Sequence, residues 1–253
     1  MKGMTNKKIE ISNGNDSLRA IFLNNHTLAL KDLSANASVP EDSVASELLE
    51  LLSKELTEQT FIMTDSRQRN EKWNHWLTSA AYVIKKKKLF VEKLLDELAL
   101  PTAKQFTLQS LSEIGTSKFI EYLTLAARGD PFAQTNNSPE EEFAELTTHA
   151  GRAFDPKNWF IVKDENAVIG VLLPQLYEDK ATEGSLFYVG VLPTQRRRGY
   201  GRSLHALGLS LLKKRGVLRY VGSTDSTNSA MKRIFALNGC RKVMDRLFWQ
   251  RKS

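Results

Sequence analysis

Apolar positions recur along the chain with two periods, and the switches between them mark its elements. Residues 18–30 (LRAIFLNNHTLAL) predict two short strands or a hairpin around Asn24 and Asn25. A turn-rich stretch at 34–42 contains Pro40. The period then lengthens, and Val44, Leu48, Leu51, Leu52 and Leu56 fall near one face of a helix over 43–56. Residues 60–64 (TFIMT) predict a short apolar strand, 70–81 a helix and 82–84 the start of a strand. The four lysines at 85–88 predict a solvated turn, and 90–98 a helix closed by Pro101. A domain boundary is expected at 99–104.

The pattern resumes with a strand at 105–108 and an amphipathic helix over 111–127 that stops at Gly129, Asp130 and Pro131. Residues 135–137 form a polar loop. Ser138 caps a helix starting at Pro139, with Glu140, Glu141 and Glu142 in the first turn, where the helix dipole favours acids. Strands at 159–163 and 167–174 flank a turn at 164–166. Then come a strand at 186–191, a helix at 199–214, a strand at 219–222, a helix at 228–237 and a last strand within 242–250. The order β-α-α-β-β-β-α-β-α-β predicts an α/β fold of the mixed-sheet, α+β kind, with helices on both faces. Two domains are expected, a smaller α/β domain at 1–103 and a second at 104–253.

Composition narrows the class. Of 253 residues, 41% are hydrophobic and 26% charged, which suits a globular chain with a core and excludes wholesale disorder. No apolar run approaches the roughly 18–20 residues of a membrane-spanning helix. The first residues turn polar at once, so a secretory leader is not expected, and with no spanning run no insertion into a membrane is expected either. Cys240 is the single cysteine, so no internal disulfide, cysteine cluster or metal is expected, and a reducing, cytoplasmic location is the default. Charge is lopsided: residues 184–253 hold 15 basic residues against two acids, whereas the chain as a whole is only +7. A basic end beside an acidic remainder predicts an anionic partner: nucleic acid, a membrane surface or a phosphorylated small molecule.

The stretch LFYVGVLPTQRRRGYGR, at 186–202, discriminates among these. A strand ends at Val191, Pro193 stops it, and Arg196, Arg197, Arg198, Gly199, Tyr200 and Gly201 run directly into a helix. Glycine lets a backbone approach a ligand closely, and the unpaired N–H groups of a helix start point outward with the positive end of its dipole. That is a cradle for a diphosphate, with arginines adding positive field. Three glycines and a later acid, as in dinucleotide folds, are lacking, and no Gly-Lys-Ser/Thr follows. Aromatic-basic interleaving and a helix-turn-helix are also lacking, which disfavours nucleic acid.

Arg/Gln-x-x-Gly-x-Gly/Ala after a strand ending Val-x-Pro resembles the hallmark of the GNAT superfamily, the Gcn5-related N-acetyltransferases. Asn228, a helix and Gly239 resemble the family's later Asn-helix-Gly element. The resemblance spans about 104–253 and implies a GNAT-type acyl-CoA N-acyltransferase fold. In that fold two parallel strands, here 186–191 and 219–222, splay to admit the pantetheine of acetyl-CoA. It further implies that Val189, Gly190 and Val191 bind the pantetheine and that residues Arg196 to Arg202 (Arg196, Arg197, Arg198, Gly199, Tyr200, Gly201 and Arg202) bind the diphosphate. Asn228 would lie near the cofactor arm. A primary amine, on a small molecule or a peptide, would attack the thioester directly. A homodimer stays open as a partner state.

Two departures bear on catalysis. Many members carry a tyrosine seven residues after the asparagine as proton donor to the thiolate; here Phe235 stands there, leaving water, Tyr188 or Tyr200. Cys240 replaces the aromatic after the late glycine and reads as buried filler. For the general base, alternation places Glu183, Ser185, Phe187, Val189 and Val191 on one strand face, which makes Glu183 the candidate, although Ser185 sits where the glutamate is expected. His149 is the other candidate base. Asp130 and the loop through Asn137 are expected to border the acceptor site. With Phe235 in place, a catalytically weak acetyl-CoA sensor or interaction module is the alternative function.

A shift of 160 residues aligns 44–84 with 204–244 and gives ten identities in 41 positions, among them Thr64-Asp65-Ser66 with Thr224-Asp225-Ser226. The first hundred residues therefore read as a degenerate half of the same fold. Its loop counterpart, Asn36 to Glu41, has neither glycine nor arginine, Pro40 lacks an N–H, and Glu41 repels phosphate. That half is expected not to bind CoA.

Overall fold

Short apolar runs with alternating burial form the strands, and the computed structural model describes residues 8–13, 16–24, 27–32, 46–47, 50, 52, 61–65, 70–96, 106–133, 138–177 and 180–252. The turn-rich stretch 34–42 with its loop counterpart at 36–41, most of the helix over 43–56, the boundary at 99–104 and the loop 135–137 lie outside the described residues. The chain divides into two units, Met1–Phe90 with Val243–Ser253, and Val91–Lys242. The expected single cut near 103 thus differs from a division that crosses the chain twice.

In the first unit, β1 (Lys8–Asn13), β2 (Asp16–Asn24) and β3 (Thr27–Asp32) form an antiparallel meander, β2 and β3 being the two strands expected within 18–30. Next, β4 (Phe61–Asp65) runs parallel to β3, and α1 (Asn70–Ser79) follows. β5 (Tyr82–Leu94) then continues through the four lysines and runs past Phe90 into the second unit. The expected turn at 85–88 and the first half of the helix expected at 90–98 are therefore corrected to one strand, while 97–98 lie outside the described residues. Lys87 pairs with Asp245 at 3.2 Å, and Lys88 lies over the Phe248 ring, so cross-strand partners and long apolar stems hold the lysines extended.

The second unit continues with β6 (Thr107–Ser110), α2 (Leu111–Ile114), α3 (Thr116–Ala127) and α4 (Pro139–Ala150). The helix expected over 111–127 is two helices, because Gly115 adopts φ +80 between them. Ser138 caps α4 in a box with Glu141. An antiparallel trio follows: β7 (Phe160–Asp164), β8 (Ala167–Tyr177) and β9 (Lys180–Val191). Then come α5 (Tyr200–Lys214), β10 (Arg219–Asp225), α6 (Ser229–Leu237) and β11 (Arg241–Arg251).

Two cores flank the sheet of the second unit. Phe119, Trp159, Ile161, Val171 and Leu173 pack on the α3 and α4 side. Val162, Ile169, Leu172 and Leu204 pack on the α5 side. Trp159 is fully buried and its Nε1 donates to Gln175 Oε1 at 3.2 Å, so the large ring loses no hydrogen bond on burial.

Both units use one plan: an antiparallel pair, a parallel strand, a helix and a closing strand. The closing strands belong to the opposite sequence halves. From Val243 onward β11 lies in the first unit, where it pairs with β4 from Trp249↔Ile62 to Arg246↔Asp65. Trp249 Nε1 donates there to Thr64 Oγ1 at 3.1 Å in a buried bond. The end of β5 borders β10 in the second unit, where the Leu95 N–H donates to the Leu218 carbonyl at 2.8 Å.

Candidate active site

The central feature is where β9 and β10 part. They pair in parallel only at Arg219↔Glu183 and Tyr220↔Gly184, after which Leu186–Val191 and Val221–Asp225 share no register. β8 stays paired to β9 as far as Gly170↔Val191, so the slot opens on the β10 side alone.

β9 carries a bulge beside the slot. Leu172 pairs with Val189 but Pro174 pairs with Leu186, so β9 has one residue too many there. Alternation slips across it. Phe187 and Tyr188 both pack on the α3 side, while Leu186, Val189 and Val191 pack on the α5 side. The shared face expected for Glu183, Ser185, Phe187, Val189 and Val191 is corrected accordingly.

Beyond Val191, the Leu192 N–H donates to the Ile169 carbonyl at 2.9 Å, and a helical turn at Pro193–Gln195 leads to the arginines. Arg197 (φ +65) and Gly199 (φ +83) are both left-handed, and Gly199 caps α5. A side chain at Gly199 would meet nothing within 4 Å, so that flank is open, whereas a Cβ at Gly201 would sit 3.0 Å from Ile234. The first N–H groups of α5 have no carbonyl one turn earlier to accept them. Arg197, Arg198 and Arg202 are exposed around this helix start. Left-handed turns, an open glycine, free-ended amides and exposed guanidinium groups suit a diphosphate, and the slot beside them suits its extended arm.

Arg196 does not belong to that ligand set. Its Nε donates to the Val191 carbonyl at 3.1 Å, and Nη2 donates to Ala126 at 3.0 Å and Arg128 at 2.8 Å. Nη1 reaches the Gly129 carbonyl at 3.4 Å, and its backbone N–H bonds to Pro193. The guanidinium therefore clamps the C-terminus of α3, where exposed carbonyls and the dipole favour a cation. Gly190 is a packing residue: a Cβ there would collide with the Tyr188 ring and lie 2.8 Å from Ala126. The Tyr200 hydroxyl donates to Asp164, which anchors the ring away from a donor role. Asn228 Oδ1 accepts from the Met231 N–H at 2.9 Å and caps α6.

The catalytic candidates separate. Glu183 sits at the paired end of β9, ion-paired to Arg219 and 3.7 Å from Lys180, and Arg219 also meets Glu92. A carboxylate so held is remote from Val191, by about 3.3 Å per residue of strand. Tyr188 lies on the α3 side. Burial pushes its phenol up, Asp130 and Glu142 add to that, and Arg196 opposes it, so it is a neutral donor at physiological pH. Asp130 Oδ1 accepts from the Phe132 N–H at 2.9 Å. His149 is exposed at the end of α4, its ring centroid 5.1 Å from that of Phe187. Phe235 is buried against His205, at 5.4 Å between centroids. Burial pushes the Cys240 thiol up to about 11, which makes it a poor nucleophile.

Sequence reasoning missed one group. His205 is fully buried, with Nε2 3.2 Å from the Tyr220 hydroxyl and Nδ1 2.9 Å from Asn238 Nδ2. His205 at the start of α5 and Tyr220 on β10 stand 15 positions apart, and no local spacing signals their meeting.

Comparison with known proteins follows the same lines. The Acetyltransferase (GNAT) family model matches residues 122–239. A GCN5-related N-acetyltransferase from Sphaerobacter thermophilus is 13% identical, over 94% of this chain and 76% of its own, with a TM-score of 0.69. An acetyltransferase of the GNAT family from Colwellia psychrerythraea is 14% identical, over 97% and 85%, with a TM-score of 0.59. A tandem GNAT protein from the clavulanic acid biosynthesis pathway is 11% identical, over 97% and 83%, with a TM-score of 0.56. At these identities the likeness is one of fold. No curated protein sequence matches the chain. Among the described residues no helix is long and apolar enough to cross a membrane. The family match supports N-acyl transfer as the broad chemistry, and residues 122–239 form a domain of the GNAT acetyltransferase family.

Proposed function

We propose that the protein is an N-acetyltransferase that moves the acetyl group of acetyl-CoA to a primary amine by direct attack. The observation that carries this reading is the parting of β9 and β10 beside the open start of α5. In this reading the amides from Arg197 to Arg202 hold the diphosphate, with Arg197, Arg198 and Arg202 adding charge. The unpaired edge of β9 around Val189 and Val191 binds the pantetheine amides as a neighbouring strand would. Asn228 borders the arm. Tyr188, with Asp130 and Glu142 around it, faces the amine on the α3 side, where negative charge favours a cationic acceptor. The first hundred residues act as a degenerate half without a CoA site, in keeping with the tandem neighbour.

Calorimetry with CoA and acetyl-CoA, followed by thiol release with a panel of primary amines, tests this. Heat with both nucleotides and amine-dependent thiol release is the expected result; no heat from either nucleotide overturns it. Phe235, buried and without a hydroxyl, favours one second reading, a CoA-binding sensor, which predicts binding without thiol release.

A further inference from the structure

Position 235 lacks a hydroxyl, but a buried hydroxyl stands across the His205 ring from it. Asn238 Nδ2 donates to the Arg202 carbonyl at 3.1 Å, which fixes that amide's orientation. The same nitrogen meets His205 Nδ1, which must therefore accept. Burial holds the imidazole pKa down at about 4, so the ring is neutral and its proton sits on Nε2. Nε2 then donates to the Tyr220 oxygen at 3.2 Å. The Tyr220 hydrogen is left without an acceptor among the described residues, on a side chain only 1% exposed. A buried donor without a partner costs about 1–3 kcal/mol, so this one awaits an acceptor.

Its position says where. Tyr220↔Gly184 is the last register pair before β9 and β10 part. The ring leans forward along β10, so that a Cβ at Gly222 would collide with its hydroxyl. The donor thus stands at the closed end of the slot, in the space that only glycine at 222 leaves free. His205 stacks edge-on between Tyr220 and Phe235, at 5.3 Å and 5.4 Å between centroids.

Resting on the acetyl-CoA reading, we propose that Tyr220, oriented by His205 and Asn238, donates a hydrogen bond to the cofactor's sulfur and stabilises the departing thiolate. The amine nitrogen forms its bond to the acetyl carbon, and the C–S bond breaks with its electron pair going to sulfur. The proton lost by the nitrogen passes to water, and the thiolate takes one back from water on release. Tyr220 keeps its proton throughout, in keeping with a phenol that burial holds well above its ordinary range.

CoA itself is the probe. Its thiol pKa in the complex is read from thiolate absorbance across pH, in the full-length wild type and in Tyr220→Phe, with calorimetry confirming occupancy. A donor aimed at the thiolate favours the charged form, so the bound thiol should titrate about one unit higher in the variant. Acetyl transfer should slow about 100-fold or more with KM for acetyl-CoA held. Equal thiol titration in the two proteins overturns the proposal, and so does weakened binding without a thiol shift, which would place the hydroxyl on a pantetheine carbonyl. Should Tyr220→Phe fold poorly, 3-fluorotyrosine at position 220 keeps the shape and strengthens the donor. The bound thiol must then titrate lower than in wild type, and no change overturns the proposal. A wild type that binds no CoA at all fails before any substitution and overturns the acetyl-CoA reading with it.

Discussion

Removing the Arg196 side chain separates an internal clamp from a phosphate ligand. Arg196→Ala deletes donors to the carbonyls of Ala126, Arg128, Gly129 and Val191, three of them at 3.1 Å or less. A hydrogen bond from a charged donor contributes about 1.5–3 kcal/mol in isolation, but bonds from one group do not add, and water reaches several of these carbonyls. A cation at a helix C-terminus adds about 0.3–1 kcal/mol. The expected loss is therefore about 2–3 kcal/mol for the unit that holds α3 and β9. Native-state hydrogen exchange at the β8 and β9 amides reads that unit directly. Arg196→Lys should recover only a small part, because one ammonium cannot span four carbonyls as a planar fork does. CoA affinity should fall in both variants, since the turn into α5 loses its tether. A stability loss under about 0.5 kcal/mol, with CoA affinity falling in Arg196→Ala but kept in Arg196→Lys, would refute the clamp and restore a phosphate contact.

Gly199→Ala meets no atom but must hold φ +83, so thermal melting should show a loss of about 1–2 kcal/mol and calorimetry a weaker CoA complex. His205 is neutral when folded, with its pKa depressed to about 4 from an unfolded value near 6.5. Its contribution is present above pH 6.5 and is lost as pH falls toward 4, amounting to about 3 kcal/mol by linkage. Urea midpoints taken across that window should fall in the wild type and flatten in His205→Gln. Cys240, with its thiol pushed up to about 11, should react with iodoacetamide at pH 8 far more slowly in the folded protein than in urea, as mass spectrometry would show.

What was legible in the sequence was local. Pro193, three arginines and two glycines ahead of Leu204 and Leu212 marked the start of α5, because each acts on its own backbone. The β-branched and aromatic run at 159–163 marked β7 in the same way. Lys85–Lys88 misled because a run of charge signals solvent only when no strand lies opposite; Asp245 and Phe248, some 160 positions away, turn it into part of β5. Glu183 misled because alternation assumes an even ladder, and the extra residue between Leu186 and Val189 breaks the count. Arg196 carried the right motif with a different task, since the carbonyls of Ala126 and Arg128 that claim it lie about 70 positions earlier. Tyr220 escaped notice for a related reason: only the fold brings it to His205.

The exchange of closing strands bears on how the chain matures. During synthesis β4 emerges early, with Ile62 and Thr64 facing a neighbour, Trp249 among it, that is made almost 190 residues later. At about 5–20 residues per second, that edge waits on the order of ten seconds or more for its own partner. A nascent chain halted anywhere before Val243 would thus present a sticky, half-built ribbon to the cell, and holdase chaperones should be found on stalled ribosomes carrying it rather than on the finished polypeptide.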